Sequence, residues 1–170
     1  MSVYFGGSRS WSLNLGILPQ VVQSVISSGQ AVHVGCQFGA DAHVSQCCPA
    51  PSLSVFAVAP VLSESPAHVQ HAAASGARVV LGAGGSSAPM PARYLLRSIA
   101  AFQGCSQAVF FAPGAGSLAV ARECARSGLA VFAFGEKPAP VPSVGGQWVA
   151  SQFMGFECWQ WSAPSQPALF

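Results

Sequence analysis

Charge is what this sequence most lacks. Only 7% of its 170 residues are Asp, Glu, Lys or Arg, against about 25% in an ordinary soluble domain. Lysine occurs once, as Lys137, so six of the seven basic residues are arginines, and the formal net charge is only +2. A chain that follows a polyanion mainly by electrostatics needs a basic surface, so a nucleic-acid partner is possible here but not favoured.

Apolar residues reach 51%, yet no run approaches the roughly 18 consecutive apolar residues of a membrane-spanning helix. The first residues also lack a basic segment followed by an apolar one. Neither a membrane span nor a signal peptide is therefore expected, and the expected location is cytoplasmic. With so little charge, Ser, Gln, Gly and Ala must cover much of the surface. Part of the apolar excess is expected in a subunit interface, because large apolar patches are rare on monomers, and a homo-oligomer follows.

Several chemistries lack their signatures. The six cysteines, Cys36, Cys47, Cys48, Cys105, Cys124 and Cys158, follow no framework spacing and read as reduced thiols packed as small hydrophobes. His68 and His71 lie three apart and His43 and Cys47 four apart, so each pair shares a helical face, but no third ligand stands at metal-site spacing and no metal is expected. No glycine loop ends in the Gly-Lys-Ser/Thr of a P-loop. None is a full G-x-G-x-x-G with an acid about twenty residues on, so ATPase and dinucleotide dehydrogenase readings lose support. No cofactor is expected.

What is present is alternation. SVYFGG is a short apolar run ended by glycine. ILPQVVQSVISSG has apolar residues at Ile17, Leu18, Val21, Val22, Val25 and Ile26 and a closing Gly29, which is helical spacing with a stop. QAVHVGCQFGAD reads as a second strand and its loop, SLSVFAVAP over residues 52–60 as a third strand covered on both faces, and ESPAHVQHAAASG as a helix after Pro66. ARVVLGAGG is another strand ending in glycine. MPARYLLRSIAAFQG predicts a helix with Tyr94, Leu95, Ile99 and Phe102 on one face and Arg93 and Arg97 on another. SQAVFFAPGAGS, LAVARECARSG and LAVFAFG add strand, helix and strand.

Strands and helices alternating through short loops predict an α/β, Rossmann-like three-layer sandwich: a mostly parallel sheet with helices on both faces. The length fits one domain. Within it, residues 1–137 carry the Rossmann-like pattern. Residues 138–170 form a proline-rich connection and an aromatic extension with Trp148, Phe153, Phe156, Trp159 and Trp161, expected to pack on the domain or an interface and to supply an edge strand or hairpin; the last residues are expected to be loose.

In such sheets, ligands bind where the carboxyl ends of strands meet helix N-termini, whose free N–H groups favour anions. Four strand ends carry glycine: GGSRS, GCQFGAD, GAGGSS and PGAGS. Glycine lets a phosphate approach the backbone with no Cβ in the way. Ser8 and Ser117 read as hydrogen-bond donors to a phosphate. Arg93 and Arg97, one turn apart, offer guanidinium forks matched to phosphate oxygens. Asp41 reads either as a helix cap or as an acceptor for a ribose or base, with Arg9 an alternative partner for it. Arg122 and Arg126 read as surface or interface residues, and the tryptophans as packing.

The order GSR after the first strand, GCQFGADAH after the second, and Arg93 and Arg97 on the helix before FFAPGAGSLAVARECARSGLAVFAFG resembles the SLOG superfamily of Rossmann-like nucleotide binders. That superfamily includes DNA-processing protein A, the Lonely Guy phosphoribohydrolases and signal-sensing domains of antiviral systems. The similarity spans residues 2 to 135. It implies that Gly6, Gly7, Ser8 and Arg9 meet one end of a nucleotide, that Gly35, Gly39 and Asp41 bound its base or ribose, and that Gly114, Gly116 and Ser117 hold its phosphate, with Arg93 and Arg97 adding charge. The chain departs from the Lonely Guy pattern, a Pro-Gly-Gly-x-Gly-Thr loop followed by two glutamates: here PGAGS is followed by Leu118, Ala119 and Val120, and the nearby acid is Glu123. The leading expectation is a domain that binds a nucleotide or nucleotide-derived molecule as a sensor, sequestering or assembly module. The alternatives are a nucleoside 5′-monophosphate N-glycosidase using Asp41 or Glu123, single-stranded DNA binding like DNA-processing protein A, and a structural domain with a degenerate site.

Overall fold

A computed structural model describes residues 1–9 and 16–163. The expectation of a loose C-terminal end falls on residues outside that set. The elements run β1 (Ser2–Gly7), α1 (Ile17–Ser27), β2 (Ala31–Val34), α2 (Ala40–Cys47), β3 (Leu53–Phe56), α3 (Ala67–Ala74), β4 (Arg78–Val80), α4 (Met90–Phe102), β5 (Gln107–Phe111), α5 (Ala115–Arg126), β6 (Ala130–Phe134), β7 (Gln147–Phe153) and β8 (Phe156–Ser162). Short 3-10 turns at Ala50–Ser52 and Leu62–Glu64 flank β3.

The strands form one sheet in the order β4-β3-β2-β1-β5-β6-β8-β7. The first six are parallel. β8 joins β6 antiparallel, with Phe132 opposite Gln160, and β7 pairs antiparallel with β8. The fold is thus α/β, with a mostly parallel sheet and, among the described residues, five α-helices.

The central parallel strands are mostly apolar because both faces are covered. Val3 and Phe5 of β1, Val32 and Val34 of β2, and Leu53 and Val55 of β3 pack with Leu18, Val21, Val22 and Val25 of α1, Val44 of α2 and Val69 of α3. The alternate residues, Tyr4, Ala108, Phe110, Val131 and Ala133, face Ala101 and Phe102 of α4 and Leu118, Ala121 and Cys124 of α5. Each large side chain so buried contributes about 1.5–3 kcal/mol. The six cysteines are unpaired thiols, five of them buried.

The third strand is shorter than residues 52–60. Its neighbour β2 ends at Val34, opposite Val55, so one side of the ladder stops there, while on the β4 side Ala57 N donates to Val80 O and Gly82 N to Ala59 O as the chain leaves the strand. The aromatic extension becomes the β7–β8 hairpin. Trp148 and Trp161 meet edge to face at 5.3 Å in the α4–α5 core. Trp148 Nε1 donates to Ala139 O and Trp159 Nε1 to Gly135 O, which fastens the proline-rich connection. Met154 and Gly155, both at positive φ, turn the hairpin as the central pair of a type I′ turn does.

Candidate functional site

The strand order reverses between β1 and β5: β1 leads outward to β2, and β5 leads the other way to β6. Loops leave such a switch point in opposite directions and open a crevice at the carboxyl edge. Here a crevice of about 720 Å³ lies there, within the usual range for small-molecule sites, roughly 300–1,000 Å³. Gly6, Gly7, Ser8 and Arg9 line it from β1, and Gly114, Gly116 and Ser117 from the start of α5.

The two loops are tied together. Ser8 N donates to Phe111 O at 3.0 Å, and Ser117 Oγ donates to Gly7 O at 2.8 Å. Ser117 therefore spends its hydroxyl proton on the protein, not on a ligand as the sequence suggested; what it can offer an anion is its backbone N–H. No side chain caps α5, and Leu118 N is the first helical donor, to Gly114 O. The N–H groups of Ala115, Gly116 and Ser117 have no acceptor among the described residues, and they carry the positive end of the helix dipole.

The inner wall is built around a buried ion pair. Arg97 Nη1 lies 3.2 Å from Asp41 Oδ2, with the two residues 3% and 5% exposed. Gln37 N donates to the same carboxylate oxygen at 3.1 Å. Burial pushes the Asp41 carboxyl up, against the pull of Arg97 and the Gln37 N–H. Burial is the largest influence on Arg97 and works against its charge, but Asp41 first, together with Tyr4 and Cys36, outweighs it and the guanidinium is held above its ordinary value. Tyr4, buried beside them, has its phenol pushed well up by desolvation and stays neutral.

Gly35 makes this pair possible. A Cβ there would lie 1.1 Å from Arg97 Nη1 and 2.5 Å from Asp41 Oδ2. Gly35 does not line the crevice; it gives up its side-chain volume to the guanidinium. Gly39, at φ 76°, brings α2 against the first loop: a Cβ would meet Ser8 O at 2.3 Å, and Ala40 N donates to Ser8 O.

Three sequence assignments change. Arg97, rather than Arg9, partners Asp41, while Arg9 is exposed at the crevice wall. The arginine face of α4 is not a single charged face: Arg97 turns inward with Ser98, Ala101 and Phe102, whereas Arg93 donates to Ala88 O at 2.6 Å and to Ser86 O, strapping the loop before its own helix. Arg93 is absent from the crevice lining. So is Glu123, which pairs with Arg122 at 2.7 Å and with Arg126 at 3.6 Å.

Sequence reasoning missed the apolar wall, made by Met90, Tyr94 and Leu95 of α4, Phe110 of β5 and Val120 of α5. The strand and helix periodicities carried the signal, but choosing the crevice face requires the strand order. Among the described residues, no group of three or more His, Cys, Asp or Glu could hold a metal ion. Among the described residues, no helix is long and apolar enough to cross a membrane.

No protein-family model and no curated protein matches the sequence. Solved structures do match the fold. DNA processing protein A from Helicobacter pylori, described for its single-stranded DNA binding mode, superposes with a TM-score of 0.67 at 13% identity over 84% of this chain and 67% of that one. DNA processing protein A from Streptococcus pneumoniae gives a TM-score of 0.62 at 17% identity over 84% of this chain, which spans 52% of that structure's length. These superpositions, not the low identities, establish a shared Rossmann-like fold, the one the sequence resemblance implied.

Proposed function

We propose that the crevice binds a nucleotide or nucleotide-derived molecule, with its phosphate at the N-terminus of α5 and its base along the apolar wall of α4. The observation that carries this reading is the convergence, at the switch point, of the Gly6–Arg9 loop with three backbone N–H groups of α5 that have no acceptor among the described residues. A dipole end, uncapped donors and an exposed arginine suit an anion, while Met90, Leu95 and Val120 suit an aromatic ring.

The site reads as one that binds rather than cleaves. Asp41 is committed to Arg97 and to Gln37 N, and Glu123 is held in ion pairs outside the crevice, so neither is placed as a free general base. A sensor, sequestering or assembly role follows. The N-glycosidase reading is tested by incubation with nucleoside 5′-monophosphates and chromatography for released base; release would overturn the binding-only reading.

Single-stranded DNA binding is the second reading, favoured by the fold likeness and by Phe38, 66% exposed on the loop after β2 with its ring 6.1 Å from that of His68. Exposed aromatic rings are stacking platforms for bases. Titrating a fluorescent oligonucleotide across salt concentrations separates the two: steep salt-dependent binding supports DNA, and nucleotide binding without it supports the small-molecule site. Native mass spectrometry of the same sample reports the oligomeric state and any bound nucleotide; a mass that no nucleotide shifts would contradict the proposal.

A further inference from the structure

Among the described residues three aromatic rings line the crevice, those of Tyr4, Tyr94 and Phe110, and they differ in the surface they have to offer. Tyr4 is 3% and Phe110 1% exposed, so both are sealed into the wall. Tyr94 is partly exposed. Met90, four residues earlier on α4 and 49% exposed, lines the same crevice, and residues four apart on a helix lie one above the other on one face. Met90 and Tyr94 therefore form an apolar ledge on the face that α4 turns to the crevice. The ledge is anchored from behind: the Arg97 guanidinium carbon lies 5.8 Å from the centre of the Tyr94 ring, and Asp41 holds that guanidinium at 3.2 Å.

The polar side chains that could read a base by its hydrogen-bonding edge are committed elsewhere. Ser98 Oγ donates to Tyr94 O at 3.0 Å and Ser117 Oγ to Gly7 O at 2.8 Å, while Asp41 accepts from Arg97 and from Gln37 N. Arg9, exposed at the crevice wall, suits the anion. The amide of Gln37, partly exposed in the lining, carries both donors and an acceptor and so suits the edge of either purine. What distinguishes one base from another here is the area of the ring system it lays on the ledge.

We infer that the crevice takes purine nucleotides without distinguishing adenine from guanine, the base stacking on Tyr94. Stacking is tolerant of base identity because every base has a π-face, and a two-ring purine covers more of the ledge than a one-ring pyrimidine. The inference rests on the nucleotide reading above, and the ligands chosen to test it keep the two apart.

Isothermal titration of the full chain with adenosine, guanosine, cytidine and uridine 5′-monophosphates tests it without altering the protein. The two purine compounds should bind within about fivefold of each other, as stacking requires. Both should bind about fivefold or more tighter than the cytidine and uridine compounds, which bury less apolar area. A larger gap between the two purines overturns the inference, since it reveals an edge read by hydrogen bonds; so do pyrimidines that bind as tightly as purines. Tyr94→Leu, which keeps apolar bulk but no ring, should weaken adenosine monophosphate about fivefold or more, and Tyr94→Phe should restore the affinity that the leucine loses. A leucine variant that binds like the original overturns the stacking and leaves the nucleotide site standing. Failure of all four compounds to bind the original chain sinks both readings.

Discussion

Replacing Gly35 by alanine adds one methyl group, and the geometry makes its cost large. The new Cβ would sit 1.1 Å from Arg97 Nη1 and 2.5 Å from Asp41 Oδ2, inside both atoms' contact distances, so the guanidinium must leave its slot. Moving it breaks the 3.2 Å ion pair and strands a carboxylate that is 5% exposed. Breaking a buried pair in this way costs about 3–5 kcal/mol, a large part of the roughly 5–15 kcal/mol that holds an ordinary domain together. Urea denaturation followed by circular dichroism measures the loss.

A double-mutant cycle assigns the cause. In an Arg97→Met, Asp41→Asn background the same Gly35→Ala change meets a flexible thioether in place of a charged pair, and it should cost less than about 1.5 kcal/mol. The difference is the coupling between the slot and the ion pair. Equal costs in both backgrounds, or a Gly35→Ala protein as stable as the original, would refute the reasoning.

Three other outcomes are expected. Ser117→Ala removes the hydroxyl that holds Gly7 O at 2.8 Å and should lower stability by about 1 kcal/mol, read by the same denaturation; an unchanged midpoint would show that the tie between the loops does not matter. Met154→Asn places at positive φ a residue that tolerates it, so the β7–β8 turn should gain about 0.5–1 kcal/mol, and a loss would contradict the turn assignment. Burial lowers the pKa of both His33, whose Nδ1–H donates to Ala101 O at 2.8 Å, and His68. The unfolded chain therefore takes up protons first. Stability should be full above about pH 7 and fall as the pH drops through about 6.5, by less than about 1 kcal/mol in total because half-buried rings are screened by water. Stability that rises on acidification through this range would reverse the sign.

The sequence showed the layers better than it showed the site. The run Val3-Tyr4-Phe5 carries no polar residue to mark a face, which reveals a strand covered on both sides but not which helix each residue meets. Glycines at the ends of β1 and β5 were legible as loops that admit an anion. That these two, rather than the GAGGSS loop before α4, flank the crevice depends on β1 and β5 being neighbours, 104 residues apart by register. Arg97 and Asp41 are 56 positions apart, and their meeting depends on a glycine that looks in the sequence like any other turn residue. Arg93 had the same sequence credentials as Arg97; one turn of helix sends it to the carbonyls of Ser86 and Ala88 instead. The aromatic extension was recognisable by composition, but its antiparallel seat on β6 follows from the free edge that the parallel strands leave.

On the proposed reading, the N-terminus of α5 receives a nucleotide phosphate. Gly116 lines the crevice, and a Cβ there would meet nothing within 4 Å. Gly116→Asp should therefore fold at least as well as the original, since a carboxylate suits a helix N-terminus, while setting a negative charge where the phosphate must lie. Titration calorimetry of both proteins with adenosine and guanosine 5′-monophosphates, alongside their melting temperatures, decides the matter. The expected result is binding by the original protein and affinity at least about tenfold weaker in Gly116→Asp, with no loss of thermal stability. No binding by the original, or equal binding by the two, would contradict the claim.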